Sequence, residues 1–377
     1  MSNPVRDVVP FFGIDREFRA HQEAYAEIMH SVFSHGKVLQ GKEVSDFEKK
    51  TAAFCDRRYG IAVNSCTDAL YFSLLAAGVQ LGEEVLVTDF SFVASASCIL
   101  RLGARPVFVD VTESYNMDLR KAESMVSSKT KAVIFVHLFG QMGNPEDIEE
   151  FAKSHGLVLI EDAAQAFGAT YRGRKAGSLG LLSCLSFDPT KVIGAPGSGG
   201  MVLTNSEELA RKIVMLRYHG RNEKSEYVSL GFNSQMPSLT AAILDYKLRH
   251  YEEWLARRRE IAKYYLDNIA GSCILPFEET GSCHIYHKFV ISSKNRDALR
   301  KFLSQYNIQS MIHYPMPLHR QPCFANFNYD HTNYPNATAI SKEVLSLPVY
   351  PFLKENELQM VVEKINAFER VSNGRGC

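Results

Sequence analysis

The chain has 377 residues, and its 42 Lys plus Arg are balanced by 42 Asp plus Glu. That length accommodates about two to three domains and a sizeable core, while zero formal net charge offers no bulk attraction to nucleic acid or an anionic membrane, so small molecules are the expected clientele. The eight cysteines, at 55, 66, 98, 184, 273, 283, 323 and 377, include no C-x-x-C pair, which argues against a zinc cluster or redox motif and fits free thiols in a reducing cytoplasm.

The first residues, MSNPVRDVVPFFGIDREF, carry acidic side chains and no uninterrupted apolar stretch, so they do not read as a signal peptide. No apolar run approaches the roughly 20 residues of a membrane span. Ser45-Asp46-Phe47-Glu48 matches the Ser-x-x-Glu capping box and is expected to open a helix. From Tyr59 to about Thr204, the strand-like runs YGIAV, EVLVT, RPVFVDV, KAVIFVHLF and LVLIEDA alternate with amphipathic stretches. This alternation predicts an α/β domain with a largely parallel sheet covered on both faces, and sites in such sheets form beyond the carboxyl ends of the strands.

Pro237 to about Asp267 has the length and spacing of one long helix, with Pro237 acceptable in its first turn. The basic run Arg257 to Arg259 lies inside it and reads as a solvated or interface face. The remainder, from HIYHKFVIS through RDALRKFLSQYN to ENELQMVVEKINAF, mixes strand and helix patterns. The expected organisation is a large α/β domain over 1–250, with an N-terminal helical segment, and a smaller α+β domain over 251–377.

Three strand ends in the α/β region present different chemical types. YGIAV runs into Asn64-Ser65-Cys66-Thr67 and then a helix; the free N–H groups and dipole of such a terminus favour a phosphate, or Ser65 or Thr67 simply caps the helix. LVLIEDAAQAFGA delivers Glu161 and Asp162, with Gln165 shortly after; a carboxylate there suits a protonated ring nitrogen, or a structural cap or salt bridge. LSFDPTKVIGAPGSGG places Lys191 before its glycines, the reverse of a nucleoside-triphosphate loop. A lysine amine becomes a nucleophile when burial or a nearby cation lowers its pKa, as Schiff-base lysines do. A phosphate site, a ring-nitrogen partner and an imine-forming amine together meet the requirements of pyridoxal 5'-phosphate (PLP), whose ring is an electron sink. Phe92, in TDFSFVAS, suits stacking on that ring or ordinary core packing.

With these stretches, the sequence resembles the DegT/DnrJ/StrS-type sugar aminotransferases of fold type I. NSCTDAL, GEEVLVTDFSFVASA, LGARPVFVDV, KAVIFVHLFGQ, LVLIEDAAQAFGA, SFDPTKVIGAPGSGG, LRYHGR, GFNSQMPSLTAAIL, ARRREIAKYY and IHYPMPLH run in family order over roughly 45–350. The resemblance implies that Lys191 forms the Schiff base and shuttles protons, that Asp162 faces the pyridine nitrogen, and that Gln165 lies beside the ring and its phenolic oxygen. It implies phosphate contacts from Ser186, Cys66 and Thr67, stacking by Phe92, and a reach by Asn233 into the neighbouring subunit's site, hence a homodimer with two shared sites. His313, Tyr314 and His319 become candidates for touching a sugar nucleotide, alongside turn or packing roles. The implied reaction moves an amino group from L-glutamate to a ketone of a nucleotide-linked deoxysugar, dTDP- or UDP-borne, in the cytoplasm; a keto-cyclitol, a keto sugar acid, or a sensor without turnover are the alternatives.

The sequence departs from the family pattern at Cys66, often glycine, at Asp188, commonly Tyr or His, at Val192, frequently asparagine, and at Pro196 and Ser198 in the loop. These changes leave the cofactor groups in place and bear on the substrate pocket. A metal site at His284 and His287, or at His313 and His319, lacks a clear carboxylate or cysteine partner. A nicotinamide dehydrogenase lacks the G-x-G-x-x-G after the first strand.

Overall fold

A computed structural model describes residues 8–372. The helices are α1 (Ile14–His35), α2 (Lys42–Phe54), α3 (Cys66–Ala76), α4 (Ala94–Arg101), α5 (Leu119–Glu123), α6 (Pro145–Ser154), α7 (Glu207–Arg217), α8 (Ser238–Arg249), α9 (Tyr251–Asn268), α10 (Arg296–Gln305), α11 (Pro335–Glu343) and α12 (Glu355–Ser372). The strands are β1 (Tyr59–Val63), β2 (Glu84–Thr88), β3 (Arg105–Val109), β4 (Thr130–Val136), β5 (Val158–Asp162), β6 (Thr170–Tyr171), β7 (Arg174–Lys175), β8 (Leu182–Ser186), β9 (Gly200–Thr204), β10 (Ser282–Cys283), β11 (Phe289–Ser292) and β12 (Val344–Leu347).

All five strand-like runs form strands of one seven-stranded sheet, in the order β1-β9-β8-β5-β4-β2-β3. β9 alone is antiparallel to its neighbours β1 and β8, so the sheet is mixed but mostly parallel, and six strands end at the same edge. From Ala132 to Val136 β4 is apolar at every position because both faces are covered there: Val133 and Phe135 enter one hydrophobic cluster, Ala132, Ile134 and Val136 the other. Local signals set the helices between. Asn144 caps α6 by accepting from the Glu146 amide, Pro145 takes the first turn, and Glu146 and Asp147 lie at the positive end of the dipole.

Three expectations are corrected. The Ser45/Glu48 capping box does not form: α2 begins at Lys42 with Gly41 at its N-cap, and Ser45 donates to the Lys42 carbonyl. Glu48 instead accepts from the Ala62 amide (2.8 Å) and Arg217 (2.5 Å), tying α2 to β1. The long helix after Pro237 is two helices that change direction at His250, whose ψ of 0° leaves the helical range. His250 packs there among the rings of His21, Tyr246 and Trp254. The basic run is not a solvated face. Arg258 is buried and donates to the carbonyls of Tyr286 (3.2 Å) and Val349 (2.8 Å), with burial holding its pKa down at about 10. Arg257 bonds Glu355, and Arg259 bonds the His284 carbonyl and Glu278, so the run anchors α9 to later segments.

A third cluster joins Ile261 and Tyr265 of α9 to Phe289, Ile291, Leu345 and Leu347 of the β11–β12 pair, to Leu299 and Leu303 of α10, and to Val361 and Ile365 of α12. Val9, from the N-terminal segment, belongs to it. We propose that this cluster is the core of the smaller domain; Tyr251, at the start of α9, still packs with the large one.

Candidate active site

Because six strands end at one edge, the segments that follow β1, β2, β5 and β8 converge there. They line a cavity of ≈ 320 Å³ whose walls include Cys66, Thr67, Phe92, Asp162, Gln165, Ser186, Lys191, His313 and Tyr314. A wider opening of ≈ 430 Å³ lies behind Tyr115 and Leu138, but no lysine lines it; chemistry rather than size selects the first.

At one end of the cavity stands the N-terminus of α3. Ser65 caps it, accepting from the Asp68 amide at 3.1 Å, so the structural reading of this residue holds. The Cys66 and Thr67 amides, in the helix's first turn, have no intrahelical acceptor. The start of β9 presses directly against this turn: a Cβ on Gly200 would lie 2.3 Å from the Ser65 carbonyl carbon and 2.5 Å from the Cys66 nitrogen. A Cβ on Gly194 would meet the Pro189 carbonyl oxygen at 2.5 Å. Gly194 and Gly200 therefore serve close backbone packing around the lysine turn and the helix terminus.

Asp162 and Glu161 leave β5 in opposite directions, as successive strand residues must. Asp162 faces the cavity, accepting from Ser95 Oγ (2.8 Å) and the Ala164 amide (3.1 Å). Burial raises its pKa, while those hydrogen bonds and Lys191 pull against the rise; a cation brought beside it favours the carboxylate. Glu161 faces away and is fully buried. It receives hydrogen bonds from the Gly177 and Leu179 amides (2.8 Å each) and Ser183 Oγ (2.7 Å), and lies 2.9 Å from His137 Nε2.

Burial pushes the Glu161 carboxyl up, and the His137, Gly177 and Ser183 contacts more than offset it, leaving its pKa below the ordinary value. A depressed carboxylate stabilises the fold above the unfolded pKa of about 4.3 and loses that contribution as pH falls through the folded value. Glu161→Ala, which strands those buried donors, is expected to lower unfolding free energy by about 3–5 kcal/mol near neutral pH. Denaturant midpoints should show the deficit narrowing in acid.

Lys191 lies in the turn after β8, its amide donating to the Asp188 carbonyl at 2.9 Å. Asp188 in turn accepts from the amide and hydroxyl of Thr190 (2.9 and 2.6 Å). Among the described residues the Lys191 amine has no hydrogen-bond partner, and burial lowers its pKa against the pull of Asp162 and Asp188. Gln165 accepts from the Phe139 amide (3.1 Å) and donates to Tyr314 Oη (2.8 Å), which fixes both side chains on the wall. Ser186 Oγ lies 3.4 Å from the Asp188 amide. Phe92 is 56% exposed at the mouth, a large ring with open space before it rather than a core residue.

Two candidates fall outside this cavity. His319 is buried, 2.6 Å from Asp89 through Nδ1 and stacked on Tyr334 at 4.3 Å; its amide also donates to Asp89. It clamps the segment leading to Phe92 instead of facing a substrate. Burial raises the Asp89 carboxyl pKa, His319 pulling it back. His319→Ala is expected to cost at least about 3 kcal/mol, because Asp89 is left buried and unpaired, yet to leave the apparent KM for both substrates unchanged when assayed well below the melting midpoint. Asn233 is exposed and bridges Tyr218, away from its own chain's cavity.

The structure adds wall residues that the motifs did not assign to a cofactor or sugar site: Phe12, Ser95, Thr190, Lys288 and His287, the last weighed only as a metal ligand. Ser95, three residues beyond Phe92, had a signal in its hydroxyl at a helix start. Lys288 had none, because its neighbour Lys191 is almost a hundred residues away in the chain. His284 bonds the Tyr286 amide and stacks on that ring at 4.1 Å, and among the described residues no three His, Cys, Asp or Glu side chains group to hold a metal.

The residues present fit PLP: backbone donors at a helix terminus could take a phosphate, a buried carboxylate a ring nitrogen, and an unpartnered amine lines the same cavity. Comparison with known proteins agrees. The model of the DegT/DnrJ/EryC1/StrS aminotransferase family matches residues 20–366. The chain belongs to this family. It is an aminotransferase, with the α/β architecture of the family. The aminotransferase is 39% identical to dTDP-3-amino-3,6-dideoxy-alpha-D-galactopyranose transaminase from Aneurinibacillus thermoaerophilus, over 96% of this chain and 99% of the relative. It is 41% identical to a protein from Geobacillus stearothermophilus named pleiotropic regulatory protein, over 96% and 99%. The crystal structure of DesV from S. venezuelae, in complex with a ketimine intermediate, superposes with a TM-score of 0.93 at 33% identity, covering 96% of this chain and 98% of that one.

Proposed function

We propose that this aminotransferase transfers the amino group of L-glutamate to a ketone of a nucleotide-linked deoxysugar, dTDP- or UDP-borne, for amino-sugar biosynthesis in the cytoplasm. The family is PLP-dependent, and the observation that carries the reading is the unpartnered Lys191 amine sharing one cavity with Asp162 and the α3 terminus. When bound, PLP supplies the electron sink that acidifies the substrate carbon bearing nitrogen.

The chain's own residues do the rest. The Cys66 and Thr67 amides and Ser186 Oγ hold the phosphate. Asp162, oriented by Ser95 and Ala164, holds a proton on the ring nitrogen, and Gln165, fixed by Tyr314, positions the ring edge. Phe92 covers one ring face. Lys191, its pKa lowered by burial, has a neutral fraction that would bond the cofactor's aldehyde carbon with loss of water and, once displaced by the incoming substrate amine, would be free to accept the proton leaving the substrate α-carbon. His313, held by Ser346 at 2.7 Å, and Tyr314 line the space where the sugar enters.

A homodimer completes the proposal, with Asn233 reaching the partner's phosphate end. Exposed Phe18, Met29 and Phe33 on α1, and Tyr227 and Leu230 near Asn233, supply the apolar surface that such an assembly buries. Among the described residues no helix is long and apolar enough to cross a membrane.

The test is product formation. Protein loaded with PLP is supplied with L-glutamate and a panel of dTDP- and UDP-linked 3-keto and 4-keto sugars, and 2-oxoglutarate and amino sugar are measured together. Stoichiometric formation of both with one keto sugar supports the reading; conversion of glutamate with no keto sugar accepted, or none at all, overturns it.

A further inference from the structure

Lys288 stands on the cavity wall one residue before β11. It is only 5% exposed. Its ammonium lies over the rings of Phe12 (4.5 Å) and Phe11 (5.5 Å) and 3.5 Å from the Thr190 carbonyl. Among the described residues no carboxylate forms an ion pair with it. A buried cation is costly unless paired, and two ring faces with one long carbonyl contact are incomplete compensation.

The acids of the same cavity are otherwise engaged. Asp162 is bonded to Ser95 and Ala164, and Asp188 closes the Thr190 turn. Burial, with Lys191 and Arg258 adding repulsion, drives the Lys288 pKa well down while Asp188 pulls it back, a balance that a bound anion would restore toward the charged form. The phosphate end proposed above uses the Cys66 and Thr67 amides and Ser186 Oγ, whereas Lys288 is held by Phe11, Phe12 and Thr190. The two groups share no residue, so the missing anion differs from the cofactor phosphate.

We propose that Lys288 is a carboxylate-binding residue for a substrate, seating that group beside Phe12 within reach of the Lys191 amine. This rests on the aminotransferase reading of the cavity. An aminotransferase takes two substrates, and the carboxylate belongs either to the dicarboxylic amino donor or to a keto sugar acid serving as acceptor.

The test compares wild type with Lys288→Met, which keeps the stem and removes the charge, and with Lys288→Arg, which restores it. In the donor arm, half-saturation of cofactor amination is measured for L-glutamate and for a simple alkylamine without a carboxylate. In the acceptor arm, the nucleotide-linked keto sugar is used as the 6-carboxylate and as the 6-deoxy form. We expect half-saturation for the carboxylate-bearing partner in one arm to rise about tenfold or more in Lys288→Met, the carboxylate-free partner to be unaffected, and Lys288→Arg to recover part of the loss. The arm that responds identifies the source.

Equal effects on carboxylate-bearing and carboxylate-free partners, or no effect in either arm, overturn the proposal. Should Lys288→Met not fold, Lys288→Gln takes its place under the same criteria. Failure of the aminotransferase reading is distinguishable, because wild type itself would then aminate nothing.

Discussion

Lys191→Ala is expected to lose the lysine-dependent visible absorption of the PLP-loaded protein and to lower turnover by about 10³-fold or more. No other residue on the wall duplicates its position: Lys288, the second amine of the cavity, is held over Phe11 and Phe12. Stability of the cofactor-free protein should hold, since Lys191 is half-buried there and its amine makes no hydrogen bond among the described residues. Absorbance spectra, steady-state rates and a thermal melt on one preparation check all three. Full turnover in Lys191→Ala would remove the lysine from the chemistry, whereas lost turnover with a collapsed melt would make its role structural.

Asp162→Asn is expected to weaken PLP binding and reduce turnover by about 10²–10³-fold while leaving the melt nearly unchanged. The substitution preserves shape and an acceptor for the Ala164 amide, 3.1 Å away. It removes the negative charge that keeps a proton on the ring nitrogen, and it presents an amide in place of one acceptor oxygen, the one that now takes the Ser95 hydrogen at 2.8 Å. Spectral titration gives the affinity and single-turnover kinetics with L-glutamate the rate. The adjacent Glu161→Ala should do the converse, with a large loss of stability. Equal kinetic effects from both substitutions would sink the division of labour between the two faces of β5.

That division shows what a linear motif conveys. LVLIEDA makes both acids visible at a strand end, and strand alternation sends them to opposite faces. Which face holds the cavity depends on Ser95, contributed by α4, and on the 177–183 segment that receives Glu161. Asp162 and Gln165 could be singled out because they end or follow a strand with a strong apolar signal, and Lys191 because it stands directly before a glycine-rich loop. His319 was misplaced for a related reason: a histidine in IHYPMPLH looks available until Asp89, distant in sequence, is found 2.6 Å away. The capping box failed because Glu48 found better partners in Ala62 and Arg217 across the fold, and tertiary contacts outweigh a local motif worth about 1 kcal/mol.

By itself the sequence determined five of the seven strands of the main sheet, its mostly parallel character and the ordered motifs that carry the family, since these rest on local periodicity and on residues at strand ends. Only the tertiary structure decided the reversal of β9, the break at His250, the burial of Arg258 and the meeting of Lys191 with Lys288. Each of these depends on which distant surfaces come together to leave water. Burial and pairing across the chain, which no local pattern encodes, determine whether a charged side chain supports the fold or faces a substrate.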